Sequence, residues 1–172
     1  MFASVANPLI VRSAPPGTGR DTDGVTEERI ELVRRGFEVY NEAGPSAFID
    51  YMIRVDLLHG DFLFHIQEDL PNGGDWVGID GFNRMTELWL EAWEEFDVDP
   101  HEFMPVGEDG ILIPVRQRAT ARGSGMEVEG EFVYVVLFRD GKVEQMHLYG
   151  DREQAERAAR PDPGDSRADR AR

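Results

Sequence analysis

From Ile111 to Tyr149 the chain reads as three long strand-like runs, Ile111–Arg122, Met126–Phe138 and Val143–Tyr149. They are separated only by Gly123–Gly125 and by the four residues 139–142, which contain Asp140-Gly141. Connections this short between extended runs permit one solution, an antiparallel meander, and Asp-Gly is a strong hairpin signal. One stretch restricts the fold further. In Phe132–Leu137 the residues Phe132, Tyr134 and Val136 share one face and Val133, Val135 and Leu137 the other. Both faces are apolar, so both are expected to be buried. Helices can cover one face. A second copy of the chain is the natural cover for the other, which predicts a homodimer.

Upstream of the meander the periodicity is helical. Ile30, Val33, Phe37 and Tyr40 form an apolar stripe in a helix over 26–42, with Glu27 and Glu28 at its positive end. Gly44-Pro45 stops that helix and starts a shorter one carrying Phe48, Ile49 and Met52. Phe62–Ile66 reads as a strand and Asp69–Asp75 as a loop. A third helix, capped by Asp80, carries Phe82, Met85, Trp89, Ala92 or Trp93, and Phe96 on one side. A short strand over 103–106 leads into the meander, and Asp151 with Gln154 starts a final short helix. The predicted class is α+β, a curved antiparallel sheet with helices on its concave face.

Composition sets the outer limits. A chain of 172 residues is one domain by ordinary expectation. Residues 1–24 and 160–172 are rich in proline and lack periodicity, so they are expected to be a flexible lead-in and a disordered tail. The net charge is -16, and residues 60–109 hold 14 acidic side chains against Arg84 alone. Such a surface repels phosphate and argues against nucleic acid and anionic membranes as partners. Cysteine is absent and Lys142 is the only lysine, which removes thiol chemistry, thiolate-held metals and most routes to a Schiff base. No apolar run approaches the ~20 residues of a membrane span, and no signal peptide is apparent. The expected location is cytoplasmic.

Four stretches carry a family resemblance: ELVRRGFEVYNEAG in the first helix, Val77-Gly78-Ile79-Asp80-Gly81, ARGSGMEVEG at the central turn and FRDGKVEQMHLYGDREQAERAA at the end. Taken in order, the chain resembles the SnoaL-like and ketosteroid-isomerase-like branch of the nuclear-transport-factor-2-like superfamily, across a domain of residues 25–159. The resemblance implies a cone, with a pocket between the concave sheet face and the helices, and commonly a dimer. It does not carry over a reaction. The isomerase base, its oxyanion aspartate and its first-helix tyrosine correspond to Ile66, Tyr134 and Gly36 or Phe37, so at most Tyr134 retains an ionisable proton. Against limonene-epoxide-hydrolase-like members Arg116 matches the arginine. Their two carboxylates correspond to Arg118 and Leu148. No equivalent of the cyclase acid–base carboxylate is found, and the catalytic residues are unassigned.

Strand alternation then proposes a lining. A turn at Gly123–Gly125 sets Arg116 opposite or near Phe132, on one face with Arg118 and Tyr134. The Asp140-Gly141 hairpin admits two registers, one bringing Tyr134 to His147 and one to Met146, and the family comparison selects Met146. The expected ligand-binding residues are Tyr40, Phe64, Trp89, Arg116, Arg118, Phe132, Tyr134 and Met146, with Ile66, Leu148 and Phe37 beside them. Arg116 is either an anchor for a carbonyl or carboxylate, or the partner of an acid such as Glu131. Tyr134 is either an oxyanion donor or a core tyrosine. The His59-Gly60-Asp61 spacing with His147 is a weak metal pattern, Gly123-Ser124-Gly125 joins strands and is no nucleophile elbow, and no phosphate-binding glycine motif occurs. No cofactor or metal is expected. The leading expectation is a small apolar organic ligand held in the cone. The rivals are an isomerase, cyclase or hydrolase acting on a polyketide-like or steroid-like substrate, and a dimeric protein-interaction module.

Overall fold

The computed structural model describes residues 25–160. The lead-in 1–24 and residues 161–172 of the tail lie outside them. Helix α1 (Glu27–Arg54) starts where Thr26 accepts a hydrogen bond from the Arg29 amide (3.2 Å), and it bends sharply at Gly44. Gly44 sits at φ 85°, ψ 179°, a region open essentially only to glycine. Pro45 restarts the helix, as expected from the sequence. The two halves bury Ile30, Val33 and Phe37, then Phe48, Ile49 and Met52.

The remaining elements are β1 (Leu58–Ile66), β2 (Gly74–Val77), α2 (Gly78–Ala92), β3 (Trp93–Pro100), β4 (Met104–Val106), β5 (Gly110–Ala121), β6 (Glu127–Arg139), β7 (Lys142–Tyr149) and α3 (Arg152–Ala159). One curved sheet runs in the order β2-β1-β7-β6-β5-β3, and β4 continues the β3 edge along the start of β5. All pairings are antiparallel except β1 with β7, which is parallel. Helices α1 and α2 cover the concave face, where Phe62, Phe64, Ile66, Ile113, Val115 and Val136 are almost wholly buried.

Several local expectations are corrected. The third helix ends at Ala92, and Trp93 and Phe96 belong to β3, whose alternation (Glu95, Asp97 and Asp99 against Phe96 and Val98) matches a half-buried edge strand. Asp80 lies in the first turn of α2, whose N-cap is Val77 with no side-chain cap. Gly74 and Asp75 belong to β2. Helix α3, capped by Asp151 accepting from the Gln154 amide (2.9 Å), packs on the outer face. There Ala155 and Ala159 meet Leu112, Val133, Val135 and Tyr149. The cover assigned to a partner subunit is therefore supplied by the chain itself.

Both hairpin registers also differ from expectation. The Ala121 amide donates to the Met126 carbonyl (2.8 Å), so the β5–β6 connection is the four-residue loop Arg122–Gly125, with Gly123 and Gly125 at φ 85° and 67°. A turn centred on Ser124 would need an odd number of residues. The even loop moves every facing pair by one, so Arg116 faces Glu131 and Val115 faces Phe132. At the next hairpin Phe138 pairs with Val143 but Leu137 with Gln145, which leaves Glu144 as a bulge. Tyr134 therefore faces Leu148, not Met146 or His147. The bulge still keeps Met146 and Leu148 on the concave face and His147 on the outer one.

The free edge of β3 is tied down by a side chain. Asn41 Nδ2 donates to the Val98 carbonyl (2.6 Å), and the Val98 amide donates back to Asn41 Oδ1 (3.0 Å). Val98 is buried, so Asn41→Ala leaves two backbone groups unpaired and costs about 2 kcal/mol or more, readable as a lower urea midpoint. Gly44→Ala forces an L-residue into a glycine conformation and costs about 1–3 kcal/mol in the same measurement. An unchanged midpoint in either variant contradicts the corresponding account.

Candidate functional site

The space between the concave face and the helices is a chamber of two lobes that share Ile66, Trp89, Phe96, Gln117 and Leu148. The inner lobe encloses about 50 Å³ and is walled by Phe37, Tyr40, Phe48, Phe64, Phe82, Met85, Thr86, Val98, Tyr134 and Met146. The outer lobe encloses about 150 Å³ and is walled by Leu70, Pro71, Trp93, Ala119, Val128, Glu129, Gly130 and Phe132. The inner lobe is thus the tighter of the two. Edge-to-face ring contacts hold its walls: Phe37 with Tyr134 (5.4 Å between centroids), Phe64 with Phe82 (5.4 Å) and Trp89 with Phe96 (5.2 Å).

The inner lobe's polar groups are neutral, and Glu129, beside Arg116, is the one charged residue bordering the outer lobe among the described residues. Gln117, only 5% exposed, donates from Nε2 to the Tyr134 hydroxyl (3.3 Å), which keeps its own proton available. Burial pushes the Tyr134 phenol far above the usual tyrosine range, with the nearby Tyr40 hydroxyl adding to the rise and the Gln117 hydrogen bond opposing it. Burial also raises Tyr40. Both are therefore phenols, not phenolates, at any physiological pH. The Trp89 Nε1 is buried and has no hydrogen-bond partner among the described residues. Among those residues no Asp, Glu, His, Lys or Arg lines the inner lobe.

Six of the eight expected ligand-binding residues converge here. Tyr40, Phe64, Trp89, Tyr134 and Met146 wall the inner lobe and Phe132 the outer one. The other two do not. Arg116 and Arg118 lie on the outer face, because the register shift turns both away from Tyr134. Arg116 Nε donates to Glu131 (2.9 Å) and lies 3.7 Å from Glu129. Arg118 pairs with Asp97 (3.1 Å). The hydrogen bond from Arg116 holds the Glu131 carboxyl below its ordinary range, assisted by His101. Arg116 is thus the ion-paired arginine, and the expectation that it faces the pocket is overturned. Gln117 occupies the place expected for it. The signal was present in β5, where Ile111, Ile113, Val115, Gln117 and Ala119 alternate with Leu112, Pro114, Arg116 and Arg118. The charges mark the wet side.

The histidines lie elsewhere. His65 contacts Asp75 (2.6 Å) on the outer face, and His147 contacts Gln145 and Tyr149 there. His59 accepts from the Asp61 amide (3.0 Å) and sits beside Arg139 at the far end of the sheet. Among the described residues no three His, Asp or Glu side chains converge as a metal site. No helix among them is long and apolar enough to cross a membrane.

The two buried phenols predict an alkaline limit. Their raised folded-state pKa values favour the fold below the ordinary tyrosine pKa of about 10, and that contribution is lost as pH rises through the folded values. Tyr134→Phe should flatten the decline of urea stability above about pH 10. An identical slope in the variant contradicts the burial of an ionisable hydroxyl.

Comparison with known proteins agrees with this architecture. The SnoaL-like domain family matches residues 33–146. An NTF2-like protein of unknown function from Burkholderia pseudomallei K96243 superposes with a TM-score of 0.62 at 19% identity, covering 77% of this chain and 97% of that one. TerC, co-crystallised with polyporic acid, gives 0.60 at 17% identity, covering 76% and 97%. A protein of ketosteroid isomerase-like fold from Catenulispora acidiphila DSM 44928, in complex with trimethylamine, gives 0.56 at 13% identity, covering 69% and 84%. No curated protein matches the sequence.

Proposed function

Because this chain belongs to the SnoaL-like domain family, we propose that its chamber binds a small, neutral, largely apolar organic molecule through one hydroxyl or carbonyl group. The observation that carries this reading is the lining itself: aromatic walls around the neutral trio Tyr134, Gln117 and Trp89. Apolar walls with a few convergent polar groups are the usual make-up of a small-molecule site. A ligand oxygen beside Tyr134 would accept the free phenolic proton, and one beside Trp89 would satisfy a buried N–H whose isolation costs about 1–3 kcal/mol. An anion is disfavoured, because no cation lines the chamber among the described residues and the chain carries a net charge of -16. TerC with polyporic acid and the Catenulispora protein with trimethylamine are two instances of this fold taking a small organic molecule.

Binding is favoured over acid–base catalysis. An isomerase, cyclase or hydrolase needs a group that titrates near working pH. The inner lobe offers only phenols with raised pKa values, an amide, an indole and a threonine, and the one carboxylate bordering the outer lobe, Glu129, lies 3.7 Å from Arg116. The homodimer expected from the two-faced strand is not part of this reading, since α3 already covers Val133 and Val135.

Calorimetric titration with 2-naphthol and 2-naphthoate at neutral pH tests it. The alcohol should bind at least about tenfold more tightly than the carboxylate. Tyr134→Phe should weaken the alcohol several-fold by removing one hydrogen bond to it. Arg116→Ala should leave it within about twofold, as expected for a surface pair on the far face. Equal or tighter binding of the carboxylate, or loss of binding on Arg116→Ala, overturns the reading.

A further inference from the structure

We propose that Gly130 and Phe132 set the length of ligand the chamber accepts, so that neutral hydroxyarenes of two or three fused rings are favoured over single rings. This rests on the ligand-binding reading above. If a ligand's polar end meets Gln117 and Tyr134, only about 50 Å³ lies around it on the inner side. Gln117 borders both lobes, so the rest of the ligand must pass it into the outer space of about 150 Å³. That space exists because of small residues on the sheet. Gly130 lies directly opposite Gln117, and Ala119 is the next inward residue along β5. Above them stand Trp89, Trp93 and Phe96.

Glycine at 130 is not required by the backbone, which has no positive φ there. What it supplies is room. A Cβ at 130 would stand 2.8 Å from Phe132 Cε2 and 3.3 Å from Cζ, so the phenyl ring lies back against the bare glycine. Any side chain at 130 must displace that ring, and a branched one also takes up floor space itself. Phe132 walls the outer lobe and not the inner one. The pair therefore tunes the outer volume while leaving the polar contact at Tyr134 untouched.

The test is titration of phenol, 2-naphthol and 9-phenanthrol, with folding of each variant verified by circular dichroism. Wild type should bind the three-ring probe at least about tenfold more tightly than phenol, in line with the added apolar surface buried. Gly130→Val should lower 9-phenanthrol affinity at least about tenfold more than it lowers phenol affinity, a discrimination of the size that pocket shape supplies. Phe132→Trp fills the same lobe from its wall without altering the glycine and should give the same selective loss. It decides the matter if Gly130→Val does not fold. A 9-phenanthrol to phenol ratio within twofold of wild type in the folded variants overturns the proposal and leaves ligand binding intact. Failure of wild type to bind any of the three probes overturns the ligand-binding reading, and this proposal falls with it.

Discussion

The ladder between β5 and β6 runs without interruption from Gly110 opposite Leu137 to Thr120 opposite Glu127, and its register decides what the chamber contains. Because side chains alternate, a slip of one residue would exchange the two faces of β5 while β6 kept its own. It would bring Arg116 and Arg118 under the helices beside Phe132 and Tyr134 and turn Ile113, Val115 and Gln117 to the outside. Burying an arginine with imperfect partners costs several kcal/mol, roughly, and each large apolar side chain exposed forfeits about 1.5–3 kcal/mol more. No alternative register competes with a penalty of that size. The four-residue loop at Arg122–Gly125, with glycines at both positive-φ positions, is the turn that meets this demand.

The same alternation segregates chemistry. Ion pairs such as Arg116–Glu131 and Arg118–Asp97 collect on the outer face, where water screens them and each contributes little. The concave face keeps groups that hydrogen-bond without charge. A phenol, a carboxamide and an indole N–H in an aromatic chamber can recognise a hydroxyl or carbonyl. Burial keeps both tyrosines protonated, so their hydrogen-bonding character does not change with pH in the physiological range.

Two features close the structure at its margins. Asn41 of α1 satisfies both backbone groups of Val98, so the edge strand β3 is held to a helix where no further strand pairs. Helix α3 lays two alanines across Leu112, Val133 and Val135. Small residues let a short helix approach closely, which explains how eight residues cover a face whose apolar pattern pointed to a second subunit.

Much of this is local and therefore legible in the sequence: the α1 stripe, the break at Gly44-Pro45, the three long strands, the Asp151 cap and the order of elements that implies the cone. Each depends on contacts within a few residues. β3 was harder to see because Trp89, Trp93 and Phe96 fit a helical period as well as Phe96 and Val98 fit a strand, and only pairing with β5 settles the choice. The site was legible in part. Tyr40, Phe64, Trp89, Tyr134 and Met146 follow from amphipathic faces, whereas exchanging Arg116 for Gln117 required the parity of one loop and placing Met146 required the bulge at Glu144. Periodicity alone determined which residues share a face of an element. Which of two faces meets the helices depends on pairings between distant segments, and those form only when the whole sheet closes around its core.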